Sequence, residues 1–278
     1  MAVSPQDVKK LRDATGAGFG DCKKALTEAN GDFASAEKIL KEMGLASAAK
    51  RSGREANEGR IFTYVEGSKA GVMNLSCETD FVAKNEDFVQ AGQALLKELV
   101  DNNQTALTEE QETKTKELGA KIKENISVKE LALLTGTSSD LIVDYIHGDG
   151  RIGVLVKIST DSEATASNDK VREYAFDCAL HAAAFSPLYL NSEAVDPAYL
   201  KEQEEIFTTQ AANLGKPDNV VAGIVKGKLN KHLSQICFVD QPFVKNDKLS
   251  VAKAGQEIAK EIGGKVELTG FVYFAVGQ

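Results

Sequence analysis

The chain has 278 residues, of which 42% are hydrophobic and 27% are charged, and its formal net charge is −8. This length permits two domains with sizeable cores, and the composition is typical of a globular protein. The acidic balance argues against nonspecific nucleic-acid binding, which needs a basic surface. We expect a cytoplasmic protein without membrane contact, because it has no signal-peptide pattern and no apolar run of roughly 18 residues.

Residues 1–45 predict a bundle of three short helices. Ser4-Pro5 is a helix-start signal, a second helix is predicted over 20–29, and Asp32 can cap a third that ends at Gly44. The glycines at 16, 18 and 20 follow a helix and not a strand, so we interpret them as a tight turn and not as a dinucleotide-binding motif. The inward positions are Val8, Leu11, Cys22, Ala25, Leu26, Phe33, Ala36, Ile39, Leu40 and Met43.

Two motifs resemble the bacterial elongation factor Ts family. The first comprises Leu-Arg-Asp-Ala-Thr-Gly-Ala-Gly at 11–18, Asp-Cys-Lys-Lys-Ala-Leu at 21–26 and Asn-Gly-Asp at 30–32; the second is Thr-Asp-Phe-Val-Ala-Lys at 79–84. The resemblance extends over essentially the whole chain. It implies an N-terminal bundle similar to ubiquitin-associated domains.

Residues 46–59 are polar and predict a linker, whose basic run at 50–54 we interpret as solvated. An internal repeat follows. The segment 64–73 is similar to 145–155, each copy predicts a β-hairpin, and each is followed by an apolar helix, as expected for a hairpin that must cover one face. The helix positions are Phe88, Gly92, Leu95 and Leu99 in the first copy, and Val171, Tyr174, Ala175, Cys178, Ala182 and Phe185 in the second.

The predicted fold class is therefore α+β, with two similar subdomains of small antiparallel sheet plus helices, over 60–140 and 141–278. A charged helical stretch over 108–123 and a short segment over 127–134 join them. Asp196-Pro197 starts a predicted antiparallel helical hairpin over 196–236, which resembles the family's coiled-coil module. Its two stripes are Leu200, Phe207, Ala211 and Leu214, then Val220, Val221, Ile224, Val225, Leu229 and Leu233, separated by Gly215-Lys216-Pro217. A helix over 252–262 and a strand over 270–276 complete the chain.

The two copies differ where function is expected. Asp80-Phe81 aligns approximately with Asp161-Ser162-Glu163, where no aromatic occurs, and Glu66 aligns with His147. Fold requirements should be shared by both copies, so this asymmetry favours a functional role. Spacing alone leaves Phe81 open between an exposed probe and a core residue on one helical face with Phe88, and His147 open between a turn residue and a contact.

Enzymatic chemistry finds no support in the sequence. The phosphate-binding loop G-x-x-x-x-G-K-[ST] is absent, and the histidines at 147, 181 and 232 form no metal or triad pattern. The four scattered cysteines lack a C-x-x-C pair and are expected to be buried thiols. They are Cys22, Cys77, Cys178 and Cys237. We predict no enzyme activity, no cofactor, no metal and no direct nucleotide binding.

The resemblance implies a guanine-nucleotide exchange factor that forms a complex with elongation factor Tu. Thr79, Asp80, Phe81 and Val82 would enter the partner's GTPase domain and displace its Mg²⁺ indirectly, with Phe81 as the wedge. The further contacts that the resemblance implies are His147, Arg12, Lys23 and Ile122. Lys123 replaces a glycine common in the family, which weakens the carry-over at Ile122. Many relatives continue into another C-terminal helix that touches the partner, so the resemblance carries over no contact of that helix.

Two matters stay open at this stage. The rival hypothesis is a non-catalytic adaptor whose N-terminal bundle binds some other protein. The sequence also leaves the oligomeric state undecided, a homodimer included.

Overall fold

The computed structural model describes residues 3–212 and 217–278 and has an α+β fold. Its first helices are α1 (Pro5–Thr15), α2 (Phe19–Glu28) and α3 (Phe33–Arg51). The Ser4 side chain accepts a 3.1 Å hydrogen bond from the Asp7 N–H, and Asp32 caps α3 in the same way. The three helices share a small core of Val8, Leu11, Cys22, Ala25, Leu26, Ala36 and Leu40.

The predicted end of the third helix at Gly44 is wrong, because α3 continues to Arg51. Gly44 is a point of close approach: a Cβ built there would lie 3.1 Å from the Ala120 Cβ. Beyond it, Arg51 Nη2 donates to the Gly119 carbonyl at 3.1 Å. The first residues of the predicted linker therefore extend a helix that packs against a second one, instead of forming a free tether.

The next block contains β1 (Glu58–Glu66), β2 (Lys69–Cys77), α4 (Asp80–Ala83), α5 (Glu86–Asp101), α6 (Glu109–Ile122) and β3 (Ser127–Thr135). The strands form one sheet in the order β1-β2-β3. Residues 127–134, expected to be a joining segment, are thus a strand of this sheet. Helix α5 buries Phe88, and its Gly92 lies against the Phe62 ring so closely that a Cβ would approach it to 2.4 Å.

The same order of elements recurs with β4 (Asp140–His147), β5 (Ile152–Thr160), α7 (Glu163–Ala166), α8 (Asp169–Phe185), α11 (Val251–Ile262) and β8 (Val266–Ala275). These strands form a sheet in the order β4-β5-β8, and antiparallel pairing places His147 opposite Ile152. The core includes Tyr174 and Cys178. Phe185 was expected on the inward face of α8 but is 54% exposed.

Between α8 and α11 lie α9 (Pro197–Ala212), α10 (Asp218–Ile236) and the short strands β6 (Pro242–Phe243) and β7 (Asn246–Ser250). Helices α9 and α10 pack together, and Tyr199 Oη lies 2.9 Å from His232 Nε2. The predicted stripe residue Leu214 and the predicted break at Gly215 and Lys216 lie outside the described residues.

The described chain divides into two compact units. The first comprises the described residues up to Phe62 with Met73–Leu131 and Ala275–Gln278, and the second comprises Thr63–Val72 and the described part of Ala132–Phe274. None of the described helices is long and apolar enough to cross a membrane.

Candidate functional site

The strongest candidate site is the single helical turn α4, which separates β2 from α5. The Thr79 side chain accepts a 3.4 Å hydrogen bond from the Val82 N–H and so caps the turn at its N-terminus. The turn ends because Asn85 is extended (φ −67°, ψ 135°) and caps α5 through the Phe88 N–H. Threonine and asparagine both favour such caps, so the local sequence specifies a break between two helices.

This break decides the position of Phe81. Its side chain is 81% exposed, whereas Phe88 is fully buried and packs 6.3 Å from the Phe62 ring. The alternative in which Phe81 shares a core face with Phe88 is wrong, because the chain does not continue as one helix between them. Asp80 is also exposed, and its carboxylate lies 3.3 Å from Lys84 Nζ in a solvated ion pair, a type that contributes little stability.

The second copy builds the same turn without the aromatic. Ser162 caps α7 through the Thr165 N–H, and Asn168 caps α8. Thr79, Asp80, Phe81, Val82 and Asn85 thereby correspond to Ser162, Glu163, Ala164, Thr165 and Asn168. The sequence alignment of Asp80-Phe81 with Asp161-Ser162-Glu163 was therefore displaced, and the residue equivalent to Phe81 is Ala164, which is exposed as well.

His147 lies at the exposed end of β4, in the second unit. Its Nδ1 atom is 3.0 Å from Tyr145 Oη, and the Tyr145 ring meets the half-exposed Phe176 edge-on at 5.9 Å. The neighbouring Gly148 has φ +60°, which glycine adopts without strain. The result is an accessible imidazole held against a tyrosine, an arrangement suited to contact with another molecule.

Arg12 on α1 and Lys23 on α2 are exposed, as a docking role requires. Phe19 begins α2 and is 52% exposed, one helical turn before Lys23 on the same face. Sequence periodicity did not single out Phe19, because it also lies three residues before the inward Cys22. Ile122 is half-buried at the end of α6, followed by Lys123 in the left-handed conformation (φ 72°).

The sequence analysis missed Glu124, which contacts the candidate turn from a distant part of the chain. Its Oε1 atom accepts a 2.6 Å hydrogen bond from the Thr79 hydroxyl. The two residues are separated by 45 positions, so no local pattern could have indicated the contact.

All four cysteines are free and buried, as expected. Burial raises the pKa of Cys77 to about 12 and that of Cys237 to about 11, and it also raises the pKa of Cys22 and Cys178. These thiols stay protonated near neutral pH and therefore lack the thiolate that nucleophilic or metal chemistry needs. Within the described ranges, no cluster of histidine, cysteine and carboxylate side chains could hold a metal ion.

Comparison with known proteins gives the family. A family model described as elongation factor TS matches residues 78–278. Curated relatives with the name elongation factor Ts include that of Borrelia recurrentis (strain A1), which is 52% identical over 278 residues and 100% of both chains. That of Borreliella burgdorferi (strain ATCC 35210) is 50% identical over 276 residues and 99% of both chains. That of Treponema denticola (strain ATCC 35405) is 47% identical over 277 residues, 100% of this chain and 99% of the relative. The resemblance inferred from the two sequence motifs is thus confirmed, and the chain belongs to the elongation factor Ts family, which makes it a translation elongation factor and not an enzyme.

Proposed function

We propose that the chain is a guanine-nucleotide exchange factor for elongation factor Tu, acting where translation takes place, in the bacterial cytoplasm. The observation that carries the proposal is the 81% exposure of Phe81 on a turn whose second copy carries alanine. Because the scaffold is built in both copies, it does not require the aromatic ring. An exposed phenylalanine without a structural duty is suited to burial in a partner.

The wedge is supported by the size of the exposed apolar group. Full burial of a phenylalanine side chain contributes about 1.5–3 kcal/mol. Phe81 would insert between helices of the partner's GTPase domain, Asp80 would set its approach, and Thr79 and Val82 would complete the contact. Insertion would disturb the partner's Mg²⁺ and nucleotide site, so the metal would be displaced without coordination by this chain.

Exchange then follows from thermodynamic linkage. If the factor weakens GDP binding to the partner by a given ratio, GDP weakens binding of the factor by the same ratio. A coupling of about 1.4 kcal/mol already corresponds to a tenfold change in affinity. The factor thereby stabilises the partner in the state that holds nucleotide poorly, and GTP can replace GDP.

Other contacts would dock the two proteins around the wedge. The N-terminal bundle would contribute Arg12 and Lys23, and His147 and Ile122 would add contacts from the rest of the chain. We propose that the bundle resembles ubiquitin-associated domains. Residues 60–140 and 141–278 are two similar core subdomains, and residues 196–236 are an antiparallel helical hairpin inserted into the second. These assignments rest on the repeated order of elements and on the packing of α9 against α10.

The test compares GDP release from purified elongation factor Tu with wild type and with Phe81→Ala. Because Phe81 is exposed, the unfolding free energy of the variant should stay within about 0.5 kcal/mol of the wild-type value. Its acceleration of GDP release should nevertheless be smaller than that of wild type by a factor of about ten or more. Phe185→Ala removes another exposed ring, 54% accessible, and serves as the matched control. A folded Phe81→Ala variant that equals wild type would refute the wedge.

A second measurement tests the linkage itself. Excess GDP should dissociate the complex of the chain with elongation factor Tu, as observed by size-exclusion chromatography. A complex that is indifferent to GDP, formed by a chain that leaves GDP release unchanged, would instead identify an adaptor.

A further inference from the structure

Glu124 anchors the turn that carries Phe81. Its Oε2 atom accepts hydrogen bonds from the backbone N–H groups of Glu78 (2.9 Å) and Thr79 (3.1 Å). Its Oε1 atom accepts the Thr79 hydroxyl proton at 2.6 Å. Hydrogen bonds to a carboxylate are roughly twice as strong as neutral ones, so three of them hold the start of the turn firmly.

The hydroxyl bond also orients the cap. A threonine hydroxyl has one proton and two acceptor lone pairs. Since the proton is donated to Glu124, the lone pairs are left for the Val82 N–H, the bond that caps α4. Glu124 therefore acts on the backbone next to Phe81 through Thr79.

The residue after Glu124 is itself held by hydrogen bonds. The Asn125 N–H donates to Glu78 Oε1 at 2.7 Å, and Asn125 Nδ2 donates to the Arg54 carbonyl at 2.8 Å. On the other side of the turn, the Cys77 thiol lies 3.1 Å from the Thr79 carbonyl oxygen. Burial and the Glu124 carboxylate raise the pKa of Cys77 to about 12, so this thiol is a proton donor. Thr79 is held at its N–H, its hydroxyl and its carbonyl.

The second copy shows which of these bonds belong to the scaffold. There the Thr160 hydroxyl lies 2.8 Å from the Ser162 carbonyl oxygen, the position equivalent to the Cys77 contact with Thr79, and it also lies 2.7 Å from the Ser139 carbonyl oxygen. The Lys265 N–H donates to Asp161 Oδ1 at 3.2 Å, as that of Asn125 does to Glu78. Both scaffold contacts recur.

The three hydrogen bonds that Glu124 accepts from Glu78 and Thr79, the Glu124 clamp, have no counterpart carboxylate at the equivalent position of the second copy. Helix α11 is followed by Gly263 in the left-handed conformation (φ 72°), as α6 is followed by Lys123. The next residue is Gly264 in one copy and Glu124 in the other. The Ser162 hydroxyl lies 2.9 Å from Thr165 Oγ1 instead. The copy that carries the exposed aromatic is thus the copy that carries the clamping carboxylate.

We infer that Glu124 is a positioning residue for nucleotide exchange, which fixes the Thr79 cap and thereby the direction in which Phe81 projects. This role rests on the proposed function. Glu124→Ala removes all three acceptor bonds. Glu124→Gln keeps an acceptor for the backbone N–H groups but turns a donor toward Thr79, so it should retain more activity than Glu124→Ala.

The experiment is a double-mutant cycle on GDP release from elongation factor Tu, with wild type, Phe81→Ala, Glu124→Ala and the double variant. Glu124→Ala should slow release by about tenfold, the size expected from loss of a charge-assisted hydrogen bond. In the Phe81→Ala background it should have no further effect, because the residue acts through Phe81. Asp161→Ala, which removes a scaffold bond of the second copy, is the matched control and should leave release unchanged.

Amide hydrogen exchange provides a readout that does not depend on the partner. The Val82 N–H should exchange faster in free Glu124→Ala than in wild type, with the second-copy Thr165 N–H unaffected. Unchanged Val82 protection, or equal slowing of release by Glu124→Ala with and without Phe81, would overturn the positioning role. Failure of the wild-type chain to accelerate GDP release would instead refute the proposed function, and wild-type release by the single variant Phe81→Ala would refute the wedge.

Discussion

The paired caps offer a test that separates stability from function. Thr79→Ala removes the 3.4 Å bond to the Val82 N–H, and Ser162→Ala removes the equivalent 3.2 Å bond to the Thr165 N–H. Loss of a cap side chain costs about 1 kcal/mol. Thr79→Ala also deprives Glu124 of its 2.6 Å donor, which adds about 1 kcal/mol. We expect unfolding free energies lowered by about 2 kcal/mol for Thr79→Ala and about 1 kcal/mol for Ser162→Ala.

Urea denaturation measures the two losses, and GDP release from elongation factor Tu is then measured under conditions in which both variants remain folded. Only Thr79→Ala should slow release, because the turn that it loosens carries Phe81, whereas the Ser162 turn carries Ala164. If Ser162→Ala slowed release as much as Thr79→Ala, exchange would follow general stability and not the geometry of one turn.

Two other predictions concern the left-handed helix end and a buried imidazole. Lys123→Gly should raise the unfolding free energy by about 1 kcal/mol, since a side chain at φ 72° is strained. Gly263→Lys should lower it by a similar amount. Urea denaturation measures both changes, and two changes of the same sign would contradict the argument. Burial lowers the pKa of the His181 imidazole, so the unfolded chain binds the proton more tightly than the folded chain. The contribution of His181 to the unfolding free energy is therefore fully present above about pH 6.5. At lower pH it should decrease by at most about 1.4 kcal/mol per pH unit. The drop between pH 7.5 and 5.5 should be smaller in His181→Asn, and an equal drop in both would exclude His181 as its source.

Local patterns predicted the elements whose causes are local. The Ser4-Pro5 start, the Asp32 cap and the apolar stripe of α5 all depend on residues within a few positions of one another, and the structure has them where expected. The hairpin of the second copy is also present, with β4 and β5 paired antiparallel. For the candidate turn, the capping residue Thr79 was visible in the sequence, but its consequence for Phe81 was not.

The errors came from contacts between distant segments. Glycine ends many helices, so a stop at Gly44 was the expected outcome; the glycine instead allows α3 to lie against Ala120. Periodicity placed Phe185 inward, yet it is exposed beside the buried His181, with the rings 4.6 Å apart. Glu124 could not be associated with Thr79 because their contact exists only after α6 and β2 are brought together by folding.

If Phe81 inserts into a partner, binding is stronger when the turn that carries it is already ordered in the free chain. Ordering the backbone of one residue costs roughly 1–2 kcal/mol, so a wedge on a loose loop would lose much of the 1.5–3 kcal/mol that burial of the ring contributes. Caps at Thr79 and Asn85 and the Glu124 clamp meet that ordering cost when the chain folds. The second copy forms its turn with caps and scaffold contacts but with Gly264 in place of Glu124. We therefore attribute the added carboxylate to the proposed role of Phe81, which requires an exposed side chain held ready for a partner.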